Sequence, residues 1–171
     1  NIDSHRSFSD FLATLDAVAR KYSRPVVVST HPRTQKRLNE KGRTGTDGRI
    51  RFLKPMGFFD YVHLQQRAFC VISDSGTITE ESSLLGFPAV TIRQAHERPE
   101  GMDEGTLIMC GLEPQRVLEA IEVVTRQRQA GAGSARIVQD YDTDNVSQKV
   151  LRIILSYTDY VNRVVWRKLP D

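Results

Sequence analysis

The stretch Ser73-Asp74-Ser75-Gly76-Thr77-Ile78-Thr79-Glu80-Glu81 lies between two short apolar runs, residues 68–72 and 88–92. Each run has the length and composition of a buried strand. The residues after Thr77 have the pattern of a helix that ends at Gly86. This order predicts a tight turn in which the first N–H groups of the helix lack partners and favour an anion. We predict a phosphate or diphosphate site at Ser75, Gly76 and Thr77; alternatively, Asp74 and Ser75 only cap a surface helix.

Strands and helices alternate along the rest of the chain. Apolar runs predict further strands at residues 25–30, 49–53 and 106–110, and helical spacing predicts helices after Ser7, at 35–41, at 58–67 and from Pro114. Residues 100–105 are typical of a turn-rich loop. The alternation predicts an α/β fold with a parallel sheet and helices on both faces, a three-layer architecture. We divide the chain into a sheet domain, residues 1–141, and a helical tail, residues 142–171, of one long or two jointed helices.

Composition narrows the class of protein. The chain has 171 residues, 39% apolar content and a net charge of +3, enough for one domain with a substantial core. A basic region between Arg33 and Lys54 suits an anionic ligand, but no interleaved aromatic residues accompany it, so nucleic acid is not the expected partner. No apolar run is long enough to cross a membrane, and no signal-peptide pattern is present. Cys70 and Cys110 lie in apolar runs, which fits unpaired thiols in a reducing, cytoplasmic setting.

Four polar or aromatic groups follow consecutive predicted strands. His31 follows the first strand, Tyr61 the second, the Asp74–Thr77 turn the third and Arg98 the fourth. Ligands of open parallel sheets bind beyond the carboxyl ends of the strands. Taken singly, His31 suits a structural hydrogen bond, Tyr61 the core and Arg98 a surface ion pair. Together they favour a ligand site.

The chemistry of these groups predicts a nucleoside diphosphate. The turn N–H groups suit phosphate oxygens, and Gly76 permits close approach of the backbone. Arg98 can hold a second phosphate with two parallel hydrogen bonds. Glu80 and Glu81 lie about 100° apart on a helix, so at most one of them faces the ligand, where it would accept hydrogen bonds from ribose hydroxyls. Tyr61 offers a flat face for a base.

Five motifs resemble those of the non-hydrolysing UDP-N-acetylglucosamine 2-epimerases. They are Ser29-Thr30-His31-Pro32, Pro55-x-x-Phe58-Phe59-x-Tyr61, Ser73-Asp74-Ser75-Gly76-Thr77-x-x-Glu80-Glu81, Leu85-Gly86-Phe87-Pro88 and Glu97-Arg98-Pro99-Glu100-Gly101. The resemblance covers roughly positions 1–128. The resemblance implies the C-terminal, Rossmann-like half of a two-domain enzyme of the glycosyltransferase-B type. It also implies that the tail packs back on an N-terminal domain.

The resemblance assigns roles by position. His31 matches the catalytic histidine at the reacting sugar. Ser75, Gly76 and Thr77 match the diphosphate-binding turn, and Arg98 matches the phosphate-binding arginine. Glu81 matches the ribose-binding glutamate, and Tyr61 and the backbone of Met56 match the uracil contacts. Thr77 departs from the family pattern, since many relatives have a second glycine there.

The finer resemblance is to the subgroup that forms UDP-N-acetyl-L-fucosamine for capsule or O-antigen synthesis. The Asp-Ser-Gly-Thr and His-Pro-Arg-Thr sequences and the tail residues carry it. The expected reaction inverts carbon 2 by elimination and re-addition of UDP, without a metal or organic cofactor. The acid/base residues of the family lie in the N-terminal domain, so we expect this chain alone to bind UDP weakly without turnover, and the whole enzyme to be a cytoplasmic homodimer.

Two other functions fit the same residues. One is a glycosyltransferase, or a hydrolysing epimerase, that uses a similar nucleotide-sugar domain. The other is a non-catalytic nucleotide-sugar-binding module that uses the basic region as its contact surface.

Overall fold

The computed structural model describes residues 5–41, 47–95, 98–131 and 136–168. The chain divides into two compact units, Asn1–Val138 and Gln139–Asp171. The first unit alternates helices and strands in the order α1 (His5–Tyr22), β1 (Val26–Ser29), α2 (Pro32–Lys41), β2 (Ile50–Leu53), α3 (Phe58–Arg67), β3 (Val71–Ser73), α4 (Ile78–Leu85), β4 (Ala89–Thr91), α5 (Pro99–Asp103), β5 (Ile108–Met109) and α6 (Pro114–Gln129). The second unit contains α7 (Val146–Tyr160) and a π-helical turn, Val161–Val165.

All strand pairs are parallel, which confirms the predicted α/β class. β1 pairs with β2, and β4 lies between β3 and β5. We predicted one sheet, whereas the hydrogen bonds form two, with β1 and β3 both bordering a cavity of about 670 Å³. The apolar runs identify the strands, but they contain no information about which strand edges meet. The carboxyl ends of β1 and β3 nevertheless open into the same cavity.

The core lies on both sides of β4 because successive strand residues point to opposite faces. Val90 is fully buried and packs with Val117 and Ile121 of α6. Its neighbour Ala89 packs with Ile78, the first residue of α4, in a separate apolar cluster. The start of α4 is therefore held on the sheet by buried apolar contacts, while the polar turn before it stays at the surface.

α1 and α6 cover the same face of the sheets. α1 packs on β2 through Leu15 and Ile50, and the Thr14 hydroxyl donates to the Leu112 carbonyl at 2.8 Å. Lys21 Nζ lies 2.8 Å from Glu122 Oε2, which ties the end of α1 to α6. These contacts hold the two sheets together although no hydrogen bond joins β1 to β3 in the part of the chain that the structure describes.

Three helix boundaries differ from the sequence prediction. α1 begins at His5 rather than after Ser7, and α2 begins at Pro32 rather than at Gln35. Residues 100–103, which we predicted as part of a loop, belong to the short helix α5, with Pro99 at its first position. Proline is tolerated in the first turn of a helix because the missing N–H would have no partner there. In the tail, α7 passes directly into the π-helical turn at Val161, and the choice between one long helix and two jointed helices stays open.

Neither cysteine is in a disulfide bond. Burial raises the pKa of the Cys70 thiol to about 12 and that of the Cys110 thiol to about 11, so both stay protonated at neutral pH. They therefore pack as small apolar groups rather than as nucleophiles. Among the helices that the structure describes, none combines the length and the apolar character needed to cross a membrane.

Candidate functional site

The turn between β3 and α4 is closed by short side chains. Ser75 N donates to Ser73 Oγ at 3.1 Å, and Thr77 N donates to Ser75 Oγ at 3.3 Å. The Ser75 and Thr77 hydroxyls lie 2.9 Å apart. Such local hydrogen bonds are weak and exposed, so they can be exchanged for bonds to an anion. Two of the three predicted phosphate donors are thus held by neighbouring hydroxyl oxygens of the turn.

Gly76 provides the third predicted donor. No hydrogen bond from Gly76 N–H is present among the described residues, and the glycine lies at the wall of a small cavity of about 10 Å³. α4 begins two residues later, after the N-cap Thr77, whose side chain makes no capping hydrogen bond. Asp74 and Ser75 are therefore not the N-cap residue of α4, and the helix N-terminus retains the positive end of its dipole for a ligand.

Arg98 reaches the same small cavity from the loop after β4. Its Nε donates to Glu80 Oε1 at 2.7 Å, and both side chains are partly buried. Arg98 lines the cavity together with Ser75 and Gly76. Because a volume of about 10 Å³ holds about one water molecule, a diphosphate requires the Arg98–Glu80 pair to open or shift.

Glu81 points to a different set of partners from Glu80. Glu81 Oε1 accepts a hydrogen bond from Thr77 Oγ1 at 2.7 Å, and Glu81 Oε2 accepts one from Gln65 Nε2 of α3. The two adjacent carboxylates are thus separated, one held by a guanidinium and the other by neutral donors. The prediction that only one of them faces the ligand stays open, since Glu80 also borders the arginine that would bind phosphate.

The large cavity between β1 and β3 brings the other predicted residues together. Its wall includes His31, Met56, Tyr61 and Ser75. His31 is exposed, and its carbonyl oxygen accepts a hydrogen bond from Gln35 N at 3.0 Å in the first turn of α2. Ser75 lines both cavities, the small one with Arg98 and the large one with His31. Glu97 of the Arg98 motif lies outside the described residues.

Tyr61 is half-buried at this wall. Burial raises the pKa of its hydroxyl, and the negative charges of Glu81 and Asp74 raise it further. The phenol therefore stays neutral and acts as an apolar ring with a hydrogen-bonding tip. Across the described parts of the chain, no three His, Cys, Asp or Glu side chains are grouped in a way that could hold a metal ion.

The decisive comparison is with protein-family models. The model described as UDP-N-acetylglucosamine 2-epimerase matches residues 1–155. The chain belongs to the UDP-N-acetylglucosamine 2-epimerase family. The predicted subgroup is finer than this match, which identifies the family only.

Similarity to individual members of the epimerase family supports the same assignment. A UDP-N-acetylglucosamine 2-epimerase from Rickettsia bellii is 46% identical, with a TM-score of 0.79, covering 96% of this chain and 45% of that one. The enzyme of Methanocaldococcus jannaschii, solved in complex with UDP-GlcNAc and UDP, shares the fold at 24% identity and a TM-score of 0.78, covering 91% and 42%. A Methanococcus maripaludis UDP-N-acetylglucosamine 2-epimerase is 32% identical over 71% of this chain. The chain spans only about a third of that relative's length, 34%.

Three residues at this candidate site were not among the predicted site residues. Thr91 and Arg93 line the small cavity, and Arg93 N donates to Thr91 Oγ1 at 3.4 Å. Gln65 is 3% exposed and holds Glu81. Gln65 lies four residues after Tyr61, on the same helix face, so a polar residue on the face of Tyr61 was the available signal. The buried Thr91 gave no signal, because it reads as an ordinary β-branched strand residue.

We expect Gly101→Ala to destabilise the protein by about 1–3 kcal/mol, because a methyl group there would collide with Thr79 Cγ2 of α4. Gly101 is buried in α5, directly after the Arg98 loop. Adding Thr79→Ser to Gly101→Ala removes the colliding methyl group and should recover most of the lost stability. Urea denaturation of the single and double variants measures both effects; an equal loss in the two would show that this contact does not hold α5 on α4.

Proposed function

We propose that this chain is the UDP-binding part of a UDP-amino-sugar 2-epimerase. The main support is the position of Ser75, which lines both cavities. Arg98 and the anion-binding turn line the small cavity, and Tyr61 and His31 line the large one. A ligand with a diphosphate at the turn can extend a flat base and a sugar into the large cavity. In UDP-sugars the diphosphate joins these two groups.

In this proposal, the N–H groups of Ser75, Gly76 and Thr77 and the Arg98 guanidinium bind the diphosphate. Epimerisation begins when the proton on carbon 2 is removed and UDP leaves carbon 1 with the bonding electron pair, which gives a glycal. Negative charge then accumulates on the departing phosphate oxygen, where fixed donors stabilise it. UDP re-adds to carbon 1, and a proton returns to the opposite face of carbon 2, so atoms and charge balance.

The remaining contacts follow the same assignment. Glu81 accepts hydrogen bonds from ribose hydroxyls, and Tyr61 and the Met56 backbone contact uracil. His31 lies beside the sugar and the glycosidic phosphate as the catalytic residue of this chain. The groups that move the proton on carbon 2 are proposed to belong to an N-terminal domain of the whole enzyme, on which the α7 tail packs. This chain alone then binds UDP weakly and does not turn over.

We further propose membership of the subgroup that forms UDP-N-acetyl-L-fucosamine, with a role in capsule or O-antigen precursor synthesis. The support is the Asp74–Thr77 sequence, in which Thr77 replaces the second glycine of many relatives. The same proposal has the whole enzyme act as a homodimer in the cytoplasm, where Cys70 and Cys110 remain reduced.

Calorimetric titration tests the proposed ligand. We expect UDP to bind this chain at least about tenfold more tightly than UMP, because charged hydrogen bonds to the second phosphate contribute about 1.5–3 kcal/mol. Uridine is the control for the base and the ribose alone. Equal affinity for UDP and UMP, or no heat with UDP at millimolar concentration, would contradict the assignment.

A further inference from the structure

We propose that Gln65 and Thr77 are positioning residues that hold the Glu81 carboxylate for the two ribose hydroxyls of the nucleotide. This inference rests on the proposed function, in which Glu81 binds the ribose. It adds a residue of α3 that no motif identified, and it gives a role to the hydroxyl at the position where Thr77 departs from the family pattern.

The first support is the arrangement of donors around Glu81. Thr77 Oγ1 donates to one carboxylate oxygen and Gln65 Nε2 to the other. An ionised carboxylate has about four acceptor positions, two on each oxygen. One position on each oxygen is thus taken, and one on each remains. Two adjacent free acceptors match the two adjacent hydroxyls of a ribose.

The second support is the orientation of the Gln65 amide. An ionised carboxylate only accepts hydrogen bonds, so the Nε2 end of the amide must face Glu81 and the Oε1 end must face away. Gln65 Oε1 is buried and has no hydrogen-bond partner among the described residues. A buried unpaired oxygen costs about 1–3 kcal/mol. Methionine would fill the same volume without this cost, so packing alone does not account for a glutamine here.

The third support is the connection to the rest of the site. The Thr77 hydroxyl also lies 2.9 Å from Ser75 Oγ, so the carboxylate and the anion-binding turn share one hydrogen-bond network. On the other side, Gln65 and Tyr61 lie one turn apart on α3, and both line the large cavity. The network therefore links the residues assigned to the phosphates, the ribose and the base.

The test compares UDP with 2′-deoxy-UDP, which lacks one of the two hydroxyls. We expect the unmodified chain to prefer UDP by about tenfold, equal to about 1.4 kcal/mol. Gln65→Met and Thr77→Val should each reduce this preference to less than about threefold, because each frees the carboxylate to rotate. Thr77→Ser keeps the hydroxyl and should keep the preference. Gln66→Met, at the exposed neighbouring position, is the matched control.

The outcomes separate the two proposals. If Gln65→Met and Thr77→Val weaken the binding of UDP and of 2′-deoxy-UDP equally, the network is only structural and this inference is wrong, while the UDP site stands. An unmodified chain that binds UDP and 2′-deoxy-UDP equally well would also overturn it and leave the diphosphate assignment intact. If the unmodified chain does not bind UDP at all, the proposed function fails, and the inference fails with it. Should Gln65→Met not fold, the Thr77→Val and Thr77→Ser pair decides the question.

Discussion

Arg98→Ala is expected to weaken UDP binding by about 30-fold and to change UMP binding by less than about threefold. Arg98 lines the same small cavity as Ser75 and Gly76, and it is assigned to the second phosphate. A charged hydrogen bond to phosphate contributes about 1.5–3 kcal/mol, and a 30-fold loss corresponds to about 2 kcal/mol. The substitution also leaves the Glu80 carboxylate without its ion-pair partner beside the ligand, so repulsion of the diphosphate adds to the loss.

Two further variants separate these contributions. Adding Glu80→Gln to Arg98→Ala removes the repelling charge and should recover part of the affinity, whereas Glu80→Gln alone should have a small effect. Arg116→Ala removes the same net charge from an exposed position on α6 and is the matched control for long-range steering. Calorimetry measures the affinities of the two single site variants, the double variant and the control for UDP and UMP. If Arg98→Ala and Arg116→Ala weaken the binding of UDP equally, Arg98 does not contact the diphosphate.

The local sequence predicted the parts of the fold that depend on short-range chemistry. The β3–turn–α4 unit was found because an apolar strand, a Ser-Gly-Thr turn and a helix lie within a few residues of one another. Gly86 also behaves as expected, since it ends α4 in the left-handed region with φ 67°. His31, Tyr61 and the turn were expected at one edge because parallel strands end at the same edge. The structure brings His31, Met56, Tyr61 and Ser75 to one cavity.

Long-range partners could not be predicted in the same way. Whether Glu80 or Glu81 would pair with Arg98 depends on where the loop after β4 lies, and no local pattern contains that position. Gln65 is 16 residues from Glu81, and its role appears only when α3 and α4 are side by side. The division into two sheets is likewise set by contacts between distant helices, since α1 and α6 join the sheets through pairs such as Lys21 and Glu122.

Ile121→Ala is expected to lower the free energy of unfolding by about 2–5 kcal/mol, the largest stability effect that we expect from one substitution. Ile121 is 1% exposed and packs with Val90 and Val117, which join α6 to β4. Alanine removes this packing and leaves a void beside the large cavity, which Ile121 also lines. Because small domains are stable by only about 5–15 kcal/mol, a large share of the native stability would be lost.

Val123→Ala is the matched control, because Val123 lies two residues away on the same helix and is 44% exposed. Its effect should stay within about 0.5 kcal/mol. Urea denaturation at equal protein concentration measures both variants, and an unchanged m-value shows that the substitution changes stability without changing the surface exposed on unfolding. A loss below about 1 kcal/mol for Ile121→Ala, or equal losses in the two variants, would mean that α6 is not packed on β4 as the structure has it. β4 carries Thr91 and leads to Arg98. If α6 is not packed on β4, the UDP affinity of the Ile121→Ala variant should also be unchanged.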